Sequence, residues 1–440
     1  MTQFLSLLLL IAVTVVALIL HFRARGKAEK RARAKLEATI ESGKTQAYAL
    51  YPKVDPQRCS GCGVCTEVCP EGDILQMVNG FPVLVAPTKC VGHSQCYRSC
   101  PVHAITMVFG TETSGREVPD YDENYETNVE GMYIAGELGG MGLIANAIKQ
   151  GVWAAGHAAA HLDSSVQADV DVLIVGAGPA GLAAALKCIE QKVRYRCIEQ
   201  NTFGGTVANF PRQKLVMSHP ASLPIVGKMS FPRNKIVKED LLAYWAGVRE
   251  KTGLKVDERV KFSNAARNGK LFEVETSAGS FTAQKVILAV GVGGTPRKLG
   301  LPNEDTEKVA FKLIDPEQYQ GCKIVVVGAG DSAVEAAQRV AAEKLGNTVH
   351  LLVRGDALSR CKEENRNKIE ELARAGLVSI WYSTQVKEIH ADRVVLDRQG
   401  ERVELPNDYI ILFMGTVPPF DFLKKIGIGI RTLYGEPLAR

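Results

Sequence analysis

Four cysteines at one spacing constrain this chain more than any other stretch: Cys59-Ser-Gly-Cys62-Gly-Val-Cys65-Thr-Glu-Val-Cys69-Pro70. The run C-x2-C-x2-C-x3-C-P sets thiolates at the corners of an iron–sulfur cubane, and such a site moves single electrons. A second run departs from the pattern once: Cys90-x2-His93-x2-Cys96-x3-Cys100-Pro101. A short apolar stretch follows each run, Ile74–Val78 and Ala104–Val108, and Phe81–Val85 leads into the second. This internal repeat predicts a small α+β module over 53–110. In such a module the first three cysteines of a run bind one cluster and the fourth binds the other. Cys59, Cys62, Cys65 and Cys100 are therefore expected at a [4Fe-4S] cluster. Cys90, His93, Cys96 and Cys69 are expected at a second cluster, [4Fe-4S] or [3Fe-4S]. Three arrangements fit His93: an imidazole ligand, a three-iron cluster lacking that corner, or an empty second site.

Of eleven cysteines, seven lie between Cys59 and Cys100, while Cys188, Cys197, Cys322 and Cys361 are scattered singly. That is cofactor spacing, not a disulfide framework, and it suits a reducing compartment. The uncharged stretch 4–22 is followed at once by Arg23, Arg25, Lys27, Lys30, Arg31, Arg33 and Lys35. A basic flank after the apolar run fits an uncleaved anchor better than a signal peptide. The expectation is a transmembrane helix over 4–22, single-pass in the cell membrane, and a basic helical stalk over 23–50. The catalytic part would then be cytoplasmic. The basic run more than accounts for the net charge of +5, so no nucleic-acid partner is expected.

From Asp169 the character changes. Val170–Val175 reads as a buried strand, then Gly176-Ala-Gly178-Pro179-Ala180-Gly181 opens a helix, and a second strand ends at Glu199. Strand, glycine turn, helix, strand and terminal acid make the dinucleotide fingerprint: glycines admit the pyrophosphate and the acid holds a ribose hydroxyl. The unit recurs as Lys323–Val327, Gly328-Ala-Gly330-Asp331-Ser332-Ala333, a helix, and Val349–Val353. Arg354 stands where the acid belongs, and an arginine there suits a 2′-phosphate, favouring NADP over NAD.

Two such units in tandem resemble the low-molecular-weight thioredoxin reductase family, with FAD in the first and NAD(P)H in the second; the cysteine module resembles a two-cluster bacterial ferredoxin. Matching pieces are Gly204-Gly205, Leu288–Val292, Thr295–Pro302, Gly328–Ala333 and Leu412–Val417. The stretch from Asn209-Phe-Pro to Trp245 is similar to the subgroup that includes bacillithiol-disulfide reductases. That subgroup often has a cysteine where Ala180 stands, and the family's C-x-x-C is missing between Gly291 and Thr416. The family's flavin-closing segment is matched by Val118–Glu137, with Gly136 and Glu137 at the flavin, and by the helix that follows. The order therefore looks circularly permuted.

The resemblance implies an α/β chain of FAD- and NAD(P)-binding Rossmann-like three-layer domains and a ferredoxin-like α+β domain, to which the apolar N-terminus would add one transmembrane helix. Its domains would be a FAD-closing segment over 116–163, a FAD domain over 169–296, an NAD(P) domain over 297–408, and a return to the FAD domain over 409–440. The implied activity is that of an FAD-dependent NAD(P)H oxidoreductase. It would serve a ferredoxin, cytochrome or quinone-linked membrane partner, with a homodimer possible. Alternatives are a disulfide or low-molecular-weight thiol reductase, or a non-autonomous electron-transfer subunit of a membrane complex. Hydride transfer needs no side-chain acid or base, so no catalytic residue is expected.

Overall fold

A computed structural model describes residues 2–41, 45–47, 49–112, 114–140, 142–217, 221–231, 236–293, 295–358 and 361–437, with the side chains of 2–9 and Glu343 left aside. The chain divides into two compact units, residues 1–117 with 432–438, and 118–431.

The first unit opens with helix α1, Thr2–Glu41. Among the described residues no helix is long and apolar enough to cross a membrane. This overturns the expected transmembrane span over 4–22, and with it the cell-membrane localisation. Nor are residues 23–41 a bare stalk. Ala32 is buried with Val78 and Val85, Arg33 donates to Asn79 Oδ1 at 2.7 Å, and Thr39 Oγ1 donates to the Val85 carbonyl at 2.7 Å.

The cysteine module is built from two antiparallel pairs. Tyr51–Val54 pairs with Ile105–Phe109. Leu75–Val78 pairs with Phe81–Leu84 across Asn79 and Gly80, both at positive φ, as a two-residue hairpin turn requires. Each cysteine run winds into one helical turn, α2 at Val64–Glu67 and α3 at Gln95–Arg98. The stretch 409–440 does not stay in one place: Glu436–Pro437 adds an edge strand to Ile105–Phe109.

The second unit holds two Rossmann-like sheets. In the first, Asp257–Glu258, Tyr195–Glu199, Val170–Val175 and Gly279–Leu288 run side by side, then Leu271–Thr276 and Phe262–Asn268. Met132–Ile134 pairs in parallel with the end of Gly279–Leu288. Val172 and Ile174 face a core shared with α4 (Ile144–Ala160), α5 (Pro179–Glu190) and α6 (Lys238–Thr252). Leu173 and Val175 face the opposite core, as the period of two dictates.

The second sheet is parallel, in the order Val309–Ala310, Tyr409–Leu412, Lys323–Val327, Thr348–Leu352, Val378–Trp381. Helices α7 (Asp331–Val340) and α8 (Glu363–Arg374) pack on one face. The antiparallel meander of Thr384–Ile389, Arg393–Arg398 and Glu401–Pro406 covers the other. The result is the three-layer arrangement expected of such units.

Candidate functional site

Cys59, Cys62, Cys65 and Cys100 line one cavity, with Pro82 and Ile105 among its apolar walls. Tight turns aim the sulfurs inward: Gly61 N–H meets Cys59 Sγ at 3.5 Å and Ala104 N–H meets Cys100 Sγ at 3.3 Å. Burial pushes the Cys65 thiol up to about 11, and Cys59, Cys62 and Cys100 push the same way. Protonated thiols this crowded fit a cationic inorganic core that displaces the protons. The fourth cysteine of the second run thus joins the first three of the first run.

The converse grouping holds on the other side. Burial pushes the Cys96 thiol up to about 11, with Cys90, Cys69 and Cys65 also raising it. Burial likewise raises Cys90, with Cys69 and Glu71 adding to it. Cys65 is thus a neighbour of Cys96, so the two sites adjoin. His93 Nε2 lies 3.6 Å from Glu71 Oε1. Among the described residues no three His, Cys, Asp or Glu side chains converge on a single metal ion; the thiols stand apart, around a cavity. Glu71 is absent from the sequence expectation. Its only signal there is its place two residues after Cys69.

The glycines of the first loop do three different jobs. Gly176 has φ +103, and a Cβ there would lie 2.5 Å from the Ala289 carbonyl oxygen. A Cβ on Gly181 would lie 1.8 Å from the Gly176 oxygen, whereas one on Gly178 meets nothing within 4 Å. Two glycines are needed by the protein, and Gly178 leaves open space above the start of α5, where Pro179 is pre-set for the first turn. Glu199 is buried; its carboxylate accepts from Ala177 N at 2.9 Å and Asn201 N at 2.8 Å. Gly205 closes on this loop, a Cβ there lying 3.0 Å from Gly178 Cα, and Gly204 N donates to the Ala177 carbonyl at 3.0 Å.

Gly136 and Glu137 come to the same place from far away in sequence. Gly136 has φ +88, and a Cβ on it would sit 3.2 Å from Ala180 Cβ. Gln150, buried on α4, accepts from Gly136 N at 2.7 Å, and its Nε2 has no hydrogen-bond partner. Glu137 is open to solvent on one side, and the protein around it raises its carboxyl above the usual range by desolvation. Helix α4 lies on α5 so closely that a Cβ on Gly151 would be 2.1 Å from the Ala180 oxygen.

In the second loop Gly328 has φ +142 and a Cβ there would lie 2.4 Å from the Phe413 oxygen, while Gly330 again faces open space. Ala333 is buried beneath the turn. Asp331 Oδ1 accepts from Lys362 N and Asn365 Nδ2, each at 2.8 Å, so this acid fastens α8 to α7. Ser332 and Arg354 are exposed, Arg354 just past Thr348–Leu352.

Residues 173–438 match the family model described as pyridine nucleotide-disulphide oxidoreductase. The chain belongs to that family. Residues 51–101 match a model described as a 4Fe-4S dicluster domain. The chain is 31% identical over 268 residues to the ferredoxin–NADP reductase of Ignicoccus hospitalis, covering 59% of this chain and 82% of that one. It is 29% identical over 271 residues to the bacilliredoxin reductase Bdr of Bacillus subtilis, covering 60% and 82%. Among solved structures, the bacillithiol disulfide reductase Bdr (YpdA) of Bacillus cereus is similar with a TM-score of 0.53 at 27% identity, over 59% of this chain and 81% of that one.

This oxidoreductase is therefore an FAD-dependent pyridine nucleotide enzyme with an iron–sulfur domain. Its remaining cysteines are scattered. Cys188, Cys197 and Cys361 are buried, and Cys322 is half-buried. Burial pushes Cys188 up to about 12 and raises Cys361, the opposite of an activated nucleophile.

Proposed function

We propose that this chain carries electrons between NAD(P)H and a ferredoxin-type partner by way of FAD and two iron–sulfur clusters. The observation that carries this reading is the cavity ringed by Cys59, Cys62, Cys65 and Cys100, in a chain that also carries two dinucleotide loops. When bound, FAD exchanges hydride with nicotinamide, and iron–sulfur clusters exchange single electrons. The chain's own part is binding and placement. Gly176, Gly178, Pro179 and Gly181 would seat the FAD pyrophosphate at the start of α5, where free N–H groups favour an anion. Glu199 keeps lone pairs for a ribose hydroxyl after accepting its two amides.

Residues 116–163 would close the same site. Gly136 and Glu137 lie at the turn beside Ala180, and α4 begins at Ile144, so its positive end would stabilise a reduced flavin. Gln150 Nε2, buried without a partner, supplies a donor at this turn. Support for the permuted order is the parallel pairing of Met132–Ile134 with Val286–Leu288. Gly328, Gly330 and Ala333 would seat the nicotinamide dinucleotide, with Arg354 exposed where a 2′-phosphate would select NADPH. The relative named ferredoxin–NADP reductase supports the ferredoxin-type partner.

A second reading, thiol-disulfide reduction, is favoured by the likeness to the two Bdr proteins. Ala180 in the glycine loop and the scattered cysteines weigh against it. Steady-state turnover with NADPH separates the two. A ferredoxin should accept electrons, and Cys62→Ser should stop that while leaving flavin reduction intact. Rapid reduction of a low-molecular-weight disulfide, unaffected by Cys62→Ser, would replace this reading with the second.

A further inference from the structure

The basic run of α1 serves none of the chemistry above, yet it lies beside the first cysteine run. Thr39, Leu36, Ala32 and Glu29 recur at alternating spacings of three and four, so they share one face of the helix. That face packs on the hairpin of Leu75–Val78 and Phe81–Leu84. Ala32 is buried with Val78 and Val85, with Leu36 against them. Thr39 Oγ1 donates to the Val85 carbonyl, and Glu29 Oε1 accepts from Asn79 N in the turn at 2.8 Å. The same spacing continues to Arg25 and Phe22, both exposed, so the face runs on past the turn and is open to solvent there. Arg23, Lys27, Lys30 and Arg31 beside it are exposed as well. From Arg23 to Lys35 seven basic residues stand against one acid, Glu29. The turn also borders the first cysteine run: Gly61 has φ +66, and a Cβ on it would lie 2.7 Å from the Gly80 oxygen.

Cys62, next after Gly61, is the exposed cysteine of the two runs; the other six are partly or fully buried. Val64 and Val102 near it are exposed apolar residues, and so is Phe81 just past the turn. Single-electron transfer falls steeply with distance, so a partner must seat over the thinnest cover, which is the edge at Cys62. A transient redox encounter needs only a small interface, and a surface of one sign steers a partner of the other. We propose that the overhanging basic end of α1 and the exposed edge at Cys62 together dock an acidic one-electron carrier of ferredoxin type. Carboxylates of the carrier meet Arg25, Lys27 and Lys30, and its apolar patch meets Val64, Phe81 and Val102. Each NADPH oxidised to NADP+ then releases one proton and reduces two carriers by one electron each; no bond in the carrier forms or breaks. This inference rests on the electron-carrier reading proposed above.

The test is anaerobic steady-state turnover of the full, FAD- and iron-loaded chain with NADPH and an acidic [4Fe-4S] ferredoxin. Basic cytochrome c serves as a second acceptor of opposite charge. In the triple variant Arg25→Glu, Lys27→Glu, Lys30→Glu, kcat/KM for the ferredoxin should fall at least about tenfold at low salt, within the range of electrostatic steering. The rate of flavin reduction by NADPH should not change, and turnover of cytochrome c should not fall. Raising ionic strength from about 0.01 M to about 0.15 M shortens the screening length from about 30 Å to about 8 Å. It should slow ferredoxin turnover of the wild type and leave the triple variant's nearly level. Phe22→Ser, on the same face, should raise KM for the ferredoxin without changing that salt dependence. Unchanged ferredoxin turnover in the triple variant, or an equal loss with both acceptors, would overturn the docking surface. A wild-type chain that reduces its flavin but never the ferredoxin would instead refute the electron-carrier reading, and this inference with it.

Discussion

Gly178 and Gly181 stand one helical turn apart and should answer the same substitution in opposite ways. A methyl on Gly181 would lie 1.8 Å from the Gly176 oxygen, and one on Gly178 meets nothing within 4 Å. Gly181→Ala should destabilise the FAD-free protein by at least about 2 kcal/mol, an overpacking cost. Gly178→Ala should stay within about 0.5 kcal/mol of wild type yet weaken FAD binding. Urea unfolding with and without FAD checks both. His350 is a second residue with a clear expectation. Burial lowers its imidazole below the ordinary range, and Trp381 Nε1 donates to its Nδ1 at 3.1 Å, which requires a neutral ring. Below about pH 6.5 the unfolded chain takes up this proton while the folded chain resists. The stability it contributes is therefore present above that pH and lost as pH falls further. His350→Leu should flatten the decline in unfolding midpoint between pH 7 and pH 5.

At the scale of elements, what was legible in sequence was local. Strand, glycine turn, helix and strand lie consecutively in Val170–Glu199, and each cysteine run carries its own spacing, so period and turn chemistry suffice to read them. Contacts between distant elements were not. Nothing in Gly151 signals that α4 must lie against the Ala180 carbonyl, and nothing in Glu71 signals His93. The apolar start of α1 misleads for a related reason. Hydropathy counts residues in a row, whereas the helix runs unbroken to Glu41 and its charged part docks through Arg33 and Thr39. The α4–α5 seam gives the element-scale prediction. Gly151→Val would force the helices apart, since even a Cβ there comes within 2.1 Å of backbone. FAD affinity should fall without any change to the glycine loop, measurable by flavin release on dilution. Unchanged affinity would detach residues 116–163 from the flavin site.

For the whole molecule, the account joins two chemistries in one chain. The first unit groups seven cysteines into two adjoining sites, and the second carries loops built for two dinucleotides. Neither unit alone explains the other: a flavoprotein without a dithiol needs an electron outlet, and a cluster module needs a source. The account therefore expects electrons from reduced nicotinamide to appear on iron. The most direct measurement is stepwise anaerobic addition of NADPH to the FAD- and iron-loaded protein, followed by absorbance and by EPR of frozen samples. Bleaching of the flavin together with new EPR signals from reduced clusters is the expected result. Full bleaching of the flavin while the clusters stay oxidised would contradict the account.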